Sequence, residues 1–202
     1  LLKPAFTNLK LCPESQILAE PSRKNTAGGL SFAVSHILAK YGSKANNLVM
    51  IVLTADHIIE PAEKFLEAIE KITIFVSNHP YLGVMGIVPT RPETGYGYIE
   101  AGEEIDETIR KVNKFHEKPS IEKASEYVKN PNYFWNSGMF FWKIETFLNE
   151  LKSASPIHYE SIMKLKGAIV ENNYENIKAI FDSLPDISID YALMEKTSNI
   201  VM

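Results

Sequence analysis

The sequence predicts an α/β protein in which helices cover a mixed, mainly parallel sheet and a smaller subdomain interrupts a doubly wound core. Two observations carry this prediction. Along the first half of the chain, apolar runs typical of buried strands alternate with apolar residues at helical spacing. In the middle, the predicted strands become shorter and carry polar faces. Alternating strands and helices favour right-handed crossovers between parallel strands, and the change of pattern indicates the inserted subdomain.

Three strands and two helices account for the first half of the chain. The strands are predicted at 16–20, 48–53 and 82–88, and the helices at about 30–41 and 61–76. Asn25 or Thr26 is suited to cap the first helix, and Gly42 is suited to end it. The second strand is a continuous apolar run, as expected for a strand that is buried on both faces.

The second half alternates shorter strands with helices. Strands are predicted at 95–104, 109–119 and 138–143, and helices at 121–129, 144–152, 156–166 and 174–182. Ser120 is placed to cap the helix that follows it. A last short helix begins within "SIDYALMEK", with Asp190 in its first turn. We expect these elements to form a single domain over residues 1–202.

The composition is that of a soluble globular protein, with 45% hydrophobic and 23% charged residues. The net charge of −4 gives no sign of the basic surface typical of nucleic-acid-binding domains. No apolar run approaches the roughly 18 residues of a membrane span, so neither nucleic acid nor a membrane is expected as a partner. Cys12 is the single cysteine and permits no internal disulfide, which fits a cytoplasmic protein.

An acid and an imidazole follow the second predicted strand, as Asp56 and His57. In open α/β sheets, ligands bind beyond the carboxyl ends of the strands. A carboxylate at that place is suited to hold Mg²⁺, which prefers oxygen ligands. The alternative for Asp56 is a residue that only caps the following turn. The alternative for His57 is a structural hydrogen-bonding role, which is the more common one for a single histidine.

Two glycine-containing loops offer polar groups to a ligand. The segment "AEPSRKNTAGG" presents Glu20, Asn25 and Thr26 ahead of a helix whose amino end favours a polar or anionic group. The segment "RPETGYGYIE" carries Gly95 and Gly97 around Tyr96, and glycines there permit backbone conformations closed to other residues. Such a loop is suited to press its amides against a polyol. The alternatives are an ordinary capped loop and a hairpin turn.

Charged and polar side chains also stand out in three later segments. In "FHEKP", Glu117 can accept hydrogen bonds from sugar hydroxyls and Lys118 can meet a phosphate, or the two form a solvated ion pair. In "WNSGMFFW", Asn136 is polar among bulky neighbours that are typical of a core. Asp190 near a helix start is either a ligand-binding carboxylate or an N-cap.

The segments "EPSRKNTA", "LTADH", "PTRPETGYGYIE", "FHEKP", "WNSGMFFW" and "ISIDYALMEK" follow one another in this order. Together they resemble the mannose-1-phosphate guanylyltransferases, or GDP-mannose pyrophosphorylases, of the sugar-phosphate nucleotidyltransferase family. The resemblance extends from about Glu20 to Met202. It implies a Rossmann-like, three-layer nucleotidyltransferase fold with an inserted sugar-binding subdomain. It also implies an enzyme that joins mannose 1-phosphate to GTP and releases pyrophosphate.

The resemblance supplies roles for the residues. It implies that Glu20, Asn25 and Thr26 face the nucleotide, while Gly95, Tyr96, Glu117 and Asn136 hold the sugar. It implies that Lys118 touches the sugar phosphate and that Asp56 and Asp190 ligate Mg²⁺ or another divalent cation. The catalytic set would be Asp56, Lys118 and Asp190, with Asp56 also at the nucleotide. A homo-oligomer is compatible with the sequence, which does not define the oligomeric state.

The family's glycine-rich loop, G-G-x-G-x-R, has no counterpart in the sequence, and neither has its closing aromatic strand. We therefore expect the chain to be truncated at both ends and to have little activity alone. Two alternatives remain. One is a noncatalytic homologue, or an inactive fragment, that binds a nucleotide sugar. The other is the transferase half of a bifunctional mannose-6-phosphate isomerase/guanylyltransferase.

Overall fold

The computed structural model describes residues 12–202. Within them, the α-helices are α1 (Asn25–Tyr41), α2 (Ala62–Asn78), α3 (Ile121–Val128), α4 (Ile144–Ala154), α5 (Pro156–Val170) and α6 (Tyr174–Asp182). The strands are β1 (Val49–Val52), β2 (Leu82–Ile87), β3 (Tyr98–Glu104), β4 (Arg110–His116), β5 (Tyr133–Lys143) and β6 (Ile200–Val201). Short 3₁₀ turns cover Glu14–Gln16 and Gly42–Asn47, and a π-helical turn covers Asp190–Met194. The predicted alternation of strands and helices is confirmed from β1 onward.

The chain divides into two compact units. The first holds the described residues up to Gly42, together with Ile157–Ile189. The second holds Ser43–Pro156 and Asp190–Met202.

The first unit is helical and has a small aromatic core. Phe32 of α1 contacts Phe181 of α6 edge-to-face, with ring centroids 5.4 Å apart, and Leu165 of α5 belongs to the same buried cluster. A fully buried phenylalanine or leucine contributes about 1.5–3 kcal/mol relative to an exposed one, so this cluster holds the three helices together. Gly42 ends α1 with φ +57°, as the sequence predicts.

The predicted strand at 16–20 is wrong. Glu14–Gln16 form a 3₁₀ turn, and Ile17 is extended but belongs to no strand in the described part of the chain. An extended segment becomes a strand only when a neighbour satisfies its backbone N–H and C=O groups. The apolar pattern of five residues does not contain that information.

The second unit is built on a six-stranded sheet in the order β1-β5-β2-β6-β4-β3, with a further pairing between β5 and β3. The mixed α/β sheet is confirmed, but the prediction that it is mainly parallel is wrong. The pairings show that β1, β2, β3 and β6 run in one direction and that β4 and β5 run in the other. Neighbouring strands are mostly antiparallel, because β5 lies between β1 and β2 and separates two strands that run the same way. Among the described pairs, only β2 and β6 are parallel neighbours.

Helix α2 packs on this sheet by the face that the sequence predicts. Ile72 and Val76 are buried against Phe141 of β5, and Phe65 and Ile69 pack against the same cluster. These residues recur at helical spacing, so one stripe of the helix faces the sheet. Gly83 lies beneath it, and an added Cβ there would be 3.0 Å from Ile72.

Strand β1 is less buried than the sequence predicts. Its residues are intermediate or exposed, and Ile51 is 41% exposed. β1 is the first strand of the sheet order and has β5 as its one strand neighbour among residues 12–202. A continuous apolar run predicts burial on both faces, but the outcome depends on what covers the strand, which the run itself does not specify.

No helix in the described part of the chain is both long and apolar enough to cross a membrane.

Candidate functional site

A cavity of about 460 Å³ opens on the second unit. It brings together six residues that the sequence analysis placed at the sugar, the phosphate or the metal. These residues are Gly95, Tyr96, Glu117, Lys118, Asn136 and Asp190. They come from four separate segments of the chain, so their meeting in one cavity is a product of the fold. His57, Arg91, Gly97 and Trp135 line the cavity as well.

An irregularity in β5 shapes the floor of the cavity. The first part of β5 pairs with β3 and its last part pairs with β1, while its register with β2 shifts between Val84 and Gly86. Gly138 lies in this stretch with φ +71°, a left-handed conformation that glycine adopts without strain. A β-bulge of this kind bends the strand and redirects its side chains. Asn136 lies beside this irregular stretch and lines the cavity.

Asn136 joins the bulge to Asp190. Its Nδ2 donates a hydrogen bond to Asp190 Oδ1 at 2.8 Å, and its Oδ1 accepts one from the Gly138 backbone N–H at 3.0 Å. Its own backbone N–H donates to the Gly97 carbonyl at 2.8 Å. Asp190 begins the π-helical turn, a type of turn that is frequent at functional sites. The Asn136 side chain is therefore fixed at both ends and holds a carboxylate at the cavity.

Glu117 and Lys118 follow the end of β4. The Glu117 side chain is 11% exposed, and its Oε1 lies 3.3 Å from Lys118 Nζ. Burial raises the pKa of the Glu117 carboxyl, and the charge of Asp190 raises it further, while Lys118 opposes both. Lys118 has φ +44°, which is uncommon for a residue with a side chain. Strained backbone of this kind clusters at ligand sites.

Gly97 is needed for a different reason from the one that the sequence suggests. Neither Gly95 nor Gly97 has a positive φ, so the predicted special backbone conformation is wrong. A Cβ added to Gly97 would instead lie 2.6 Å from Glu117 Oε2, whereas one added to Gly95 would have only an ordinary contact with Glu93. Gly97 allows the loop to lie against the Glu117 carboxylate. Its role is close packing between two segments.

Aromatic rings form one wall of the cavity. Tyr96 meets Trp135 edge-to-face, with ring centroids 5.3 Å apart, and Tyr96 is 44% exposed. The guanidinium of Arg91 lies over the Trp135 ring, 5.5 Å from its centroid. The sequence pattern does not single out Arg91, and it places Trp135 among residues typical of a core. A cation in the same loop as Tyr96 was the available signal, but the cation–π pairing across two segments is visible only in the fold.

The loop after β1 carries Asp56 and His57. The Asp56 side chain is 86% exposed, four residues beyond the end of β1. Thr54 Oγ1 and His57 Nδ1 are hydrogen-bonded at 2.7 Å, and a Cβ added to Gly138 would lie 3.5 Å from Thr54. The loop therefore lies against the bulge, and His57 reaches the cavity. Residues 12–202 contain no group of three or more His, Cys, Asp or Glu side chains that could hold a metal ion.

The sequence matches the profile of the family described as nucleotidyl transferase over residues 4–183. This match covers most of the chain. The chain belongs to the nucleotidyl transferase family.

Several relatives of this nucleotidyl transferase are named as mannose-1-phosphate guanylyltransferases. The chain is 39% identical over 190 residues to a mannose-1-phosphate guanylyltransferase of Salmonella typhimurium, covering 93% of this chain and 39% of that protein. The chain spans about two fifths of the length of the curated relatives it matches first.

Solved structures agree with this fold. A structure titled mannose-1-phosphate geranyltransferase, from Thermus thermophilus, superposes with a TM-score of 0.78 at 30% identity, over 91% of this chain and 51% of that one. A structure titled mannose-6-phosphate isomerase, from Helicobacter pylori, gives a TM-score of 0.71 at 29% identity, over 91% and 69%.

Three of the four residues predicted at the nucleotide, Glu20, Asn25 and Thr26, lie in the first unit. The Thr26 backbone N–H donates to Asn25 Oδ1 at 2.9 Å, and Thr26 Oγ1 accepts from the Ile189 N–H at 2.8 Å. Glu20 packs on α1, where a Cβ added to Gly29 would lie 2.8 Å from its Oε1. Partial desolvation raises the pKa of the Glu20 carboxyl.

The prediction that Asn25 or Thr26 caps α1 is wrong. Asn25 has φ +56° and is the first residue of α1, and Lys24 occupies the N-cap position without a side-chain bond. The adjacent Gly28 and Gly29 lie inside α1, and the side chains of Lys24 and Glu20 occupy the space beside them. These glycines serve packing within the unit.

Proposed function

We propose that the protein joins mannose 1-phosphate to GTP and forms GDP-mannose and pyrophosphate. The observation that carries the proposal is the single cavity that gathers Glu117, Lys118, Asn136 and Asp190 from separate segments. The family and the names of the relatives favour the same reaction. The remaining roles follow from the chemistry of the residues that line the cavity.

The sugar would be held by polar groups of fixed orientation beside an aromatic wall. The Glu117 carboxylate accepts hydrogen bonds from hydroxyls, and Asn136 can offer an amide that is already oriented by Asp190 and Gly138. Tyr96, with Gly95 beside it, would cover the opposite side of the ring. Pre-organised groups of this kind lose little entropy when a ligand binds.

The reaction needs positioning of two polyanions more than covalent help from the protein. An oxygen of the sugar phosphate attacks the α-phosphorus of GTP in line, the bond from that phosphorus to the bridging oxygen breaks, and pyrophosphate leaves. Lys118 would hold the sugar phosphate and offset its charge. Alignment of the attacking oxygen is the main contribution that such a site makes to the rate.

The nucleotide would be bound by the first unit. The Glu20 carboxylate can accept hydrogen bonds from the guanine N–H groups, and Asn25 and Thr26 offer further donors and acceptors. Both Asn25 and Thr26 are exposed at the amino end of α1, where the helix dipole favours an anionic or polar ligand. These roles are part of the proposal.

A divalent cation would be held by Asp190, which lines the cavity, together with Asp56, which lies outside that lining on the loop whose His57 reaches it. Mg²⁺ is commonly bound by one or two carboxylates, with water and substrate phosphates completing its shell, so a cluster of three acids is not required. When bound, the cation supplies positive charge to the phosphates. Asp190 is already oriented by Asn136, and the Asp56 carboxylate is exposed to solvent.

The test is an assay of the protein expressed from its complete reading frame. GTP and ATP are each combined with mannose 1-phosphate and glucose 1-phosphate, with Mg²⁺ or with EDTA, and nucleotide sugar and pyrophosphate are quantified. The proposal predicts GDP-mannose as the preferred product and its loss in EDTA. Preference for another pair, or binding of GDP-mannose without any turnover, would contradict it.

The assay also tests for mannose-6-phosphate isomerase activity, because one similar structure is titled a mannose-6-phosphate isomerase. The same preparation is assayed for interconversion of mannose 6-phosphate and fructose 6-phosphate. Isomerisation together with GDP-mannose synthesis would identify a bifunctional protein. Isomerisation without GDP-mannose synthesis would contradict the proposed transfer.

A further inference from the structure

The cavity of the second unit has an electrostatic feature that the proposed function explains only in part, because the proposed cation would offset the charge of Asp190 but not that of Glu117. Two carboxylates, those of Glu117 and Asp190, line this cavity together. A sugar phosphate carries about two negative charges near neutral pH. Its entry into a cavity with two carboxylates is opposed by repulsion unless cations on the lining offset them.

Lys118 supplies only part of that compensation. Its ammonium lies 3.3 Å from Glu117 Oε1, so its positive charge is shared with a carboxylate of the cavity. Apart from His57, the other cation on the lining is Arg91. Without Arg91, the lining would carry two carboxylates, Glu117 and Asp190, and one permanently charged cation, Lys118.

Arg91 is oriented but only weakly paired. Its Nε and Nη2 both lie 3.5 Å from Glu93 Oε2, which is longer than the roughly 2.7–2.9 Å of a tight charge-assisted hydrogen bond. The other carboxylate oxygen of Glu93 accepts from the Gly95 N–H at 3.3 Å. The guanidinium rests on the Trp135 ring. Because a guanidinium has five N–H donors, most of them are available to a ligand.

We propose that Arg91 is a substrate-binding residue that takes the phosphate of the sugar phosphate through its guanidinium fork. The proposal rests on the proposed function, because it assigns that phosphate to this cavity. A planar fork can bind two phosphate oxygens at once, which a lysine ammonium does only as a point charge. Trp135 holds the plane of the guanidinium, and Glu93 limits its rotation.

The alternative role for Arg91 is to fix the loop by its pairing with Glu93. The Arg91 side chain is 60% exposed, and exposed ion pairs contribute little to stability. If Arg91 only fixes the loop, its substitution should affect the binding of ligands with and without a phosphate group equally. Ligands with and without phosphate therefore separate the two roles.

The test compares Arg91→Gln and Arg91→Lys with the wild type, all from the complete reading frame. Lys114→Gln is the matched control, because it removes one positive charge from an exposed position of the same unit that does not line the cavity. KM is measured for mannose 1-phosphate and for GTP. Direct binding of mannose 1-phosphate, glucose 1-phosphate and unphosphorylated mannose is measured by calorimetry.

Arg91→Gln is expected to raise KM and Kd for mannose 1-phosphate by about tenfold to a hundredfold, the range for a lost charged hydrogen bond. KM for GTP, binding of mannose and the melting temperature should stay near their wild-type values. Arg91→Lys should recover part of the loss, and Lys114→Gln should show none.

An active wild type in which Arg91→Gln leaves KM for mannose 1-phosphate unchanged would overturn the proposal alone. Equal losses for GTP and mannose 1-phosphate, not recovered by Arg91→Lys, would also overturn it. A wild type that makes no GDP-mannose, but binds a hexose 1-phosphate in a manner that Arg91→Gln weakens, would contradict the proposed function and support Arg91. A wild type that binds no hexose 1-phosphate would overturn both.

Discussion

Glu117 shows how single residues set the chemistry of the cavity. Its side chain is mostly buried, and Gly97 packs closely against its carboxylate. The negative charge of Asp190 also acts on this carboxyl. Burial and the neighbouring charge both disfavour its ionised form. A carboxyl in this environment receives few hydrogen bonds from water. The hydroxyls of a bound ligand can donate those hydrogen bonds instead.

The stability of the protein should reflect this environment. The pKa of Glu117 is raised above its ordinary value of 4.5, so the folded state binds this proton more tightly than the unfolded state. The penalty is absent below about pH 4.5 and grows as the pH rises through the raised pKa. The melting temperature of the wild type relative to Glu117→Gln should therefore fall across that window.

Glu122→Gln is a control of opposite sign. The Ser120 hydroxyl beside Glu122 lowers the pKa of that carboxyl, so its stabilising effect is present above 4.5 and is lost as the pH falls. The wild type relative to this variant should gain stability as the pH rises. Parallel curves for the two comparisons would show that Glu117 is not in the environment described.

Residue types in the loops could be predicted from the sequence, but the reasons for them could not. Gly97 reads as a turn glycine, yet its φ is ordinary and its space is taken by Glu117, which lies twenty residues later. Arg91 has no role that its local sequence indicates, and its contact with the Trp135 ring appears only in the fold. Contacts between distant segments decide both roles, and local pattern contains no record of them.

At the level of elements, β5 positions the site. One long strand pairs with three neighbours, and the irregular stretch around Gly138 separates those pairings. The same stretch presents Asn136 to Asp190 and lies against Thr54. A regular strand would not bend in this way, so the bulge links the geometry of the sheet to the geometry of the cavity.

Gly138→Ala tests this element. A side chain at φ +71° is strained, and left-handed backbone costs about 1–2 kcal/mol for residues other than glycine. The free energy of unfolding, measured with urea, should fall by about that amount. Gly167→Ala is the control, because Gly167 lies inside α5 with nothing within 4 Å of an added Cβ. It should stabilise the protein by about 0.5–1 kcal/mol. Equal effects of the two substitutions would contradict the role of the bulge.

Helices were the elements that the sequence predicted best. α6 matches its predicted bounds, and α2 buries the predicted face, because helical spacing and caps are local signals. Strands were predicted less well. The segment at 16–20 has the apolar pattern without a partner, and β1 has the pattern of a buried strand but an exposed Ile51. Strand pairing is non-local, so periodicity alone predicts it only in part.

On the scale of the whole molecule, the fold separates the predicted roles between two units. Glu20, Asn25 and Thr26 belong to the first, and the residues assigned to sugar, phosphate and metal belong to the second. The membership of the nucleotidyl transferase family rests on the sequence as a whole. The assignment of a hexose 1-phosphate to one cavity rests on the convergence of its lining residues.

A crystal structure of the protein with GDP-mannose and Mg²⁺ tests that assignment most directly. The account predicts the mannose ring in the cavity of the second unit, with Glu117 and Asn136 within hydrogen-bond distance of its hydroxyls and the guanidinium of Arg91 at a phosphate. Mannose bound outside this cavity, with Glu117 and Asn136 free of the ligand, would contradict it.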